Sequence, residues 1–275
     1  MRDTSLRIDI TKFIIGLIVV GLLLFPLYWM VNASFQPRTA LLAAVPSWFP
    51  APPIFEGYQN AIAGQGQSLL TSCFVAVSSA LLSLVIATPC AFGLVTFRMR
   101  WTTAFVFVLL LVQMIPNVVM ANALYTIFAR AGWLNTYQAL ILSDASLSTP
   151  FAILLIRAFM ESLPRSLTEA ALVDGAGYWG AFFRVILPLS RNGLITAGLF
   201  CFLFAWSDFL YALTMSTKQK IVPITLGIYQ YIGTHQTDWN AIMATAVLAS
   251  LPPVVLLLLG QRHITAGLTG GAVKE

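Results

Sequence analysis

The sequence predicts an all-α membrane protein of six transmembrane helices with both termini on the cytoplasmic side. Three observations predict it. The chain of 275 residues is 59% hydrophobic and only 9% charged, with a mean hydropathy of +0.85, whereas soluble domains carry roughly 25% charged residues. Its apolar residues gather into six long runs, and each helical span needs about 20 such residues. None of the runs alternates with period two, which disfavours a β-barrel.

The first run, residues 13–34, is free of charge from Phe13 to Val31 and ends in Tyr28 and Trp29. Arg2, Arg7 and Lys12 precede it, and Val31-Asn32-Ala33 loosely imitates a signal-peptidase site. A signal h-region is only about 7–15 residues long, so the run reads as an uncleaved first span with an aromatic interfacial end. Residues 35–67 form a proline-rich outer loop in which "IFEGYQNAI" is the one candidate short helix. Five further spans follow at approximately 68–96, 102–129, 137–160, 192–216 and 240–261, leaving 161–191 as a long segment between spans four and five. Prolines 89, 116, 150, 252 and 253 fall inside spans, where each reads first as a kink.

Orientation follows from the basic residues. With the N-terminus inside, Arg2, Arg7, Lys12, Arg98, Arg100, Arg157, Arg165, Arg184, Arg191, Arg262 and Lys274 are cytoplasmic, and only Arg38, Arg130, Lys218 and Lys220 lie outside. That asymmetry is the positive-inside pattern. The net charge of +5 is spread singly at span ends, so no nucleic-acid surface is implied. Cys73, Cys90 and Cys201 lie in apolar runs without a CxxC and read as small buried hydrophobes.

The segment 161–191 departs from the rest. Ser166-Leu-Thr-Glu169 fits a capping box, with Pro164 ending the span before it. A short helix through "LTEAALV" should stop at Asp174-Gly175, with Gly175 taking a left-handed C′ conformation and Gly177 a second free joint. A second helix carries Trp179, Phe182, Phe183 and Ile186 on one face and closes at Pro188. Such a pair can lie in lipid headgroups or dock in a protein groove. Only Arg184 and Arg191 are basic near the second helix, which favours docking.

"EAALVDGAGYWGAFFRVILP" resembles the EAA motif of permease subunits of bacterial binding-protein-dependent ABC importers: E-A-A, three residues, G, nine residues, I-x-L-P. Glu169, Ala170, Ala171, Gly175, Leu187 and Pro188 match at those spacings, and Val185 stands where isoleucine is usual. "FAILLIRAFMESLPRSLTEAALVDGA", "FAWSDFLYAL" and "GLTGGAVKE" are similar to the carbohydrate-uptake, maltose-type branch, with "IFEGYQNAI" more weakly so. The resemblance implies the type I ABC importer permease fold. It implies that 161–191 is the cytoplasmic coupling segment, contacting an ATPase through Glu169, Ala170, Ala171, Asp174, Gly175, Trp179, Phe182 and Pro188, with Glu169 meeting a basic residue. It further implies a heterodimer with a distinct second permease, a dimer of ATPase subunits and an external substrate-binding protein. The substrate it implies is a sugar, with glycerol-phosphate-type solutes the alternative, and the membrane is the bacterial cytoplasmic (inner) membrane.

No lysine completes a GxxxxGKS/T phosphate loop, so ATP and Mg are expected on the partner ATPase and no cofactor or metal on this chain. Candidate path residues are the polar ones that interrupt spans: Gln113, Asn117 and Asn122 on the third, Asp144, Ser146 and Thr149 on the fourth, and Trp206, Ser207 and Asp208 on the fifth. A central Asp costs about 2.5–3.5 kcal/mol to insert, which makes it a functional candidate. Asp208 lies about 24 Å along its span from Asn192, so a hydrated or capping role competes, as it does for Asp144. Ala241, Thr245 and Ala249 form a small-residue face suited to helix packing. An intramembrane enzyme is disfavoured, since His235 and His263 sit at span ends and HExxH and GxSxG are absent. A secondary transporter would show internal repeats and mid-bilayer coupling charges, and neither is present.

Overall fold

The computed structural model describes residues 2–97, 100–231 and 238–270, with side chains from 12 to 263 within those ranges. Arg98, His235, Lys274 and the last five residues lie outside the described residues, as do the side chains of Arg2 and Arg7. The described elements are helical throughout: α1 (Arg2–Ser34), α2 (Arg38–Leu41), α3 (Glu56–Thr96), α4 (Thr102–Gln113), α5 (Asn117–Ala131), α6 (Tyr137–Glu161), α7 (Ser166–Val173), α8 (Gly177–Ala181), α9 (Leu187–Leu189), α10 (Arg191–Ser207), α11 (Leu210–Met215), α12 (Ile224–Gln230) and α13 (Trp239–Gly270). Four are long and apolar enough to cross a membrane, and the number is up to six if each of two bent helix pairs counts as one span.

The expected boundaries need four corrections. The short helix of the outer loop is continuous with the second span, so α3 starts at Glu56 and runs for 41 residues. The third span is broken: α4 and α5 meet at 94°, because Pro116 stands extended (φ −57°, ψ 132°) before α5 and can supply no amide to continue α4. The fifth span ends as a regular helix at Ser207, where Asp208 turns extended (φ −65°, ψ 130°) before α11. The last span continues to Gly270 with Pro252 and Pro253 inside it.

The chain packs as two units, residues 1–66 with 228–251, and residues 67–227 with 252–275. In the first, Asn240 Nδ2 donates to the carbonyl of Ser34 (3.0 Å), a terminal carbonyl that α1 leaves open, and to that of Gln36 (2.8 Å) just beyond the helix. Gly57 is required beside it, since a Cβ there would lie 2.1 Å from Asn240 Oδ1. Ala241 and Thr245 of the small-residue face are buried. In the second unit α6 is the central helix, burying Ala139, Ser143, Ser148, Ala152 and Ile156 along its length. Small side chains let its neighbours approach closely: Ser148 and Ser83 share a hydrogen bond of 2.8 Å, and Gly193 of α10 sits against the Phe159 ring.

Candidate functional site

The EAA segment, all within the second unit, is built on one glycine turn. α7 ends in a Schellman motif: the Ala176 amide donates to the Ala171 carbonyl (3.0 Å) and the Gly175 amide to Leu172 (3.1 Å). Gly175 (φ 80°) and Gly177 (φ 62°) are both left-handed, a conformation that side-chain-bearing residues avoid. The capping box does not form. Arg165 is the N-cap with no side-chain bond, because the carbonyls of Pro164 and Arg165 already receive the amides of Leu167, Thr168 and Glu169.

The second helix closes as expected, at Leu189 one residue past Pro188, but it is not regular. α8 runs through a wider π-helical turn, Phe182–Ile186, into α9, and α10 then leaves at 76°. A proline ring collides with the carbonyl four residues before it in a regular helix, and the widened turn just ahead of Pro188 absorbs that constraint.

The expected aromatic face divides. Phe182 and Ile186 are buried, while Trp179 (67%) and Phe183 (58%) are exposed and stack on each other with centroids 5.9 Å apart. Phe182 packs on Phe92 of α3 (5.0 Å) and Tyr178 on Phe97 (4.9 Å). Ala171 faces inward with Ala181, whereas Glu169, Ala170, Asp174, Gly175 and Pro188 are exposed. Val173, 87% exposed, completes an apolar surface beside the turn. Under it lies a cleft of about 460 Å³ between the segment and the ends of α3 and α6, lined among others by Thr96, Met160, Arg165 and Glu169.

The polar residues of the spans do not form one cluster. Gln113, Asn117 and Ser146 come together with Tyr211 around a cavity of about 20 Å³ at the α4–α5 bend, roughly the room one water needs. Asn122 is exposed one turn further along α5, and Trp206 is buried against Phe202, ring on ring at 5.5 Å, which removes its face from any solute in this conformation. Asp208 caps α11: its carboxylate accepts from the amides of Tyr211 (3.2 Å) and Ala212 (2.9 Å).

Asp144 is 3% exposed and its Oδ1 has no hydrogen-bond partner among the described residues, as is also true of the Tyr211 hydroxyl. A buried polar atom without a partner is costly, which makes Asp144 and Tyr211 candidates for a role beyond packing. Tyr211 escaped the sequence reading because a tyrosine in an apolar run resembles an interfacial anchor; its place one turn after Asp208 is the signal that could have found it.

Residues 81–270 match the family described as binding-protein-dependent transport system inner membrane component. The chain is 31% identical over 265 residues (96% of this chain, 93% of the relative) to the sulfoquinovosyl glycerol transport system permease protein SmoH of Agrobacterium fabrum. It is 34% identical over 254 residues (92% of each) to the diacetylchitobiose uptake system permease protein DasC of Streptomyces coelicolor. Its fold matches a chain of a bacterial ABC transporter involved in the import of the acidic polysaccharide alginate, with a TM-score of 0.82 at 19% identity over 94% of this chain and 97% of that one. The chain therefore belongs to the binding-protein-dependent transport system inner membrane components, as a permease subunit of an ABC importer rather than its ATPase.

Proposed function

We propose that this subunit carries a sugar across the bacterial cytoplasmic membrane, paired with a distinct second permease, driven by a dimer of cytoplasmic ATPases and supplied by an external binding protein. The observation that carries the reading is the division of the EAA segment. Phe182, Ile186 and Ala171 fix it to the spans, while Trp179, Phe183 and Val173 are left outward around a rigid Gly175 turn. A hydrophobic anchor next to an exposed carboxylate, Glu169, suits a groove with a basic rim. The excess of basic residues at that end of the spans supports a cytoplasmic position. Closure of the ATPase pair then moves α7 and α8 as one body, and the Phe182–Phe92 contact transmits the motion to α3.

The path reading rests on the cavity at the α4–α5 bend. Gln113, Asn117, Ser146 and Tyr211 offer neutral donors and acceptors there, with Asp144 and Asp208 the acidic groups of the same region. Neutral and acidic groups favour an uncharged, hydroxyl-rich solute over a phosphate ester. The name of DasC, a diacetylchitobiose uptake permease, supports an uncharged sugar, and that of SmoH a sugar cargo that carries a sulfonate.

The test is to tag the subunit, solubilise its native membranes gently and identify what co-purifies, then measure uptake in vesicles with the recovered binding protein. Recovery of an ATPase, a second permease and a binding protein, with ATP-dependent sugar uptake, is the expected result. A subunit that remains alone after cross-linking through a cysteine placed beside Gly175 overturns the coupling assignment. Uptake of glycerol phosphate but no sugar overturns the substrate class.

A further inference from the structure

The corner between the EAA segment and α10 has no slack in its backbone. α10 leaves the segment at 76°, yet the Ser190 amide at the corner donates to the Ile186 carbonyl (2.9 Å), and the Ser190 carbonyl accepts from the Leu194 amide (3.0 Å). Ser190 is itself 3% exposed. A buried corner bonded on both sides passes a displacement on rather than absorbing it. Whatever moves α7 and α8 therefore moves the first turn of α10.

That turn meets two other helices of the second unit. Gly193 lies against the Phe159 ring of α6. Asn192 reaches the cytoplasmic end of α13, where His263 Nδ1 lies 3.0 Å from Asn192 Oδ1. The tautomer follows from the other ring nitrogen. Arg262 Nε donates to His263 Nε2 (3.2 Å), so Nε2 is bare and Nδ1 carries the proton given to Asn192. The backbone of Asn192 is held as well, since its carbonyl accepts from Thr196 Oγ1 (2.8 Å).

α13 also touches α10 through an apolar contact about one turn before His263. Gly260 is buried, and a Cβ there would lie 3.2 Å from Leu199 Cδ2, so the two helices approach closely. Apolar contact is non-directional and lets one helix slide along the other. A hydrogen bond weakens steeply as its angle closes. The Asn192–His263 bond thus fixes the register that the Gly260–Leu199 contact leaves open.

We propose that Asn192 and His263 are a clasp through which displacement of the EAA segment reaches α13, with His263 as the positioning residue. The inference rests on the coupling reading of the EAA segment. One side-chain hydrogen bond is a small part of a fold's stability, so the clasp can be cut while the subunit stays folded. α13 then no longer follows α10 when the ATPase pair closes.

The test uses the assembled importer with its binding protein, in a chain lacking Cys73, Cys90 and Cys201. Spin labels are placed at Leu189→Cys on α9 and Leu259→Cys on α13, both exposed. Their separation is measured without nucleotide and after trapping with ATP and vanadate. With the clasp intact it should change by no more than about 1–2 Å, the scale of a helix shift at a packed interface. In His263→Ala and in Asn192→Ala it should change by more, and the double variant should add nothing further, because both cut one bond. His263→Asn places an amide where Nδ1 was and should restore the intact behaviour. His263→Gln, whose amide matches Nε2 instead, should not. Equal changes with and without His263, additive effects of the two alanines, or no rescue by His263→Asn each overturn the clasp. If Trp179→Ala keeps full recovery of the ATPase, the coupling reading falls and the clasp with it. If Trp179→Ala loses the ATPase while His263→Ala moves as the intact chain does, only the clasp falls.

Discussion

The Phe182 ring lies 5.0 Å from that of Phe92, tilted by 47°, and this pair fastens the EAA segment to the end of α3. Phe182 is 3% exposed, while Trp179, one helical turn earlier, is 67% exposed. The two aromatics therefore separate folding from docking. Phe182→Ala should destabilise the isolated subunit by about 3–5 kcal/mol, the usual loss for a buried Phe, seen as a lower unfolding midpoint in detergent. Trp179→Ala should leave that midpoint within about 0.5 kcal/mol yet reduce recovery of the ATPase on pull-down. Equal effects of the two substitutions on either readout would falsify the division of roles.

Gly175 tests the turn itself. A Cβ at this position meets nothing within 4 Å, so any effect of substitution arises from its φ of 80° and not from a clash. Gly175→Val should cost about 1–2 kcal/mol through the left-handed conformation and uncouple ATP hydrolysis from transport. Gly175→Asn, which tolerates that conformation, should retain most transport. If both variants transport like the parent, the turn is not a rigid link between ATPase and spans.

The spans and the EAA turn were legible because their physics is local. A bilayer demands about 20 apolar residues, and Asp174-Gly175 after a helical run demands a C′ glycine. What was hidden depends on neighbours. Pro89 and Pro150 stay inside continuous helices, whereas Pro116 ends one; the proline alone does not say which. Ser166 and Glu169 have capping-box spacing, but the chain turned helical a residue earlier and the Pro164 and Arg165 carbonyls took the amides. Periodicity put Trp179, Phe182, Phe183 and Ile186 on one side of a helix, yet only the packing of α3 decides which of them meet it.

The crossing of α6 and α10 depends on the absence of one side chain. A Cβ on Gly193 would lie 2.5 Å from Phe159 Cγ and 2.8 Å from its Cβ, too close for a small shift of the ring. Gly193→Ala should therefore destabilise by about 1–3 kcal/mol, as overpacked cores do, despite alanine's better helix propensity. Phe159→Leu should recover part of the loss in the double variant, since the two sites are in contact and their effects should not add. Unfolding midpoints of the four chains in detergent measure this; strict additivity would show that the helices adjust by another route.

Asp208 and Tyr211 distinguish a helix cap from a transport path. The Asp208 carboxylate accepts two α11 amides, so Asp208→Ala should cost about 0.5–2 kcal/mol of stability, and Asp208→Asn, itself a good cap, less. If capping is its whole task, transport by Asp208→Asn stays near the parent's. Tyr211 is different, because its buried hydroxyl has no partner among the described residues and the residue lines the cavity with Gln113, Asn117 and Ser146. Removing an unpartnered buried hydroxyl is neutral or stabilising, so Tyr211→Phe should fold at least as well as the parent. A path role then predicts slower uptake in this well-folded variant, with ATPase association unchanged. Unaltered uptake would assign the hydroxyl to packing and move the path away from the α4–α5 bend.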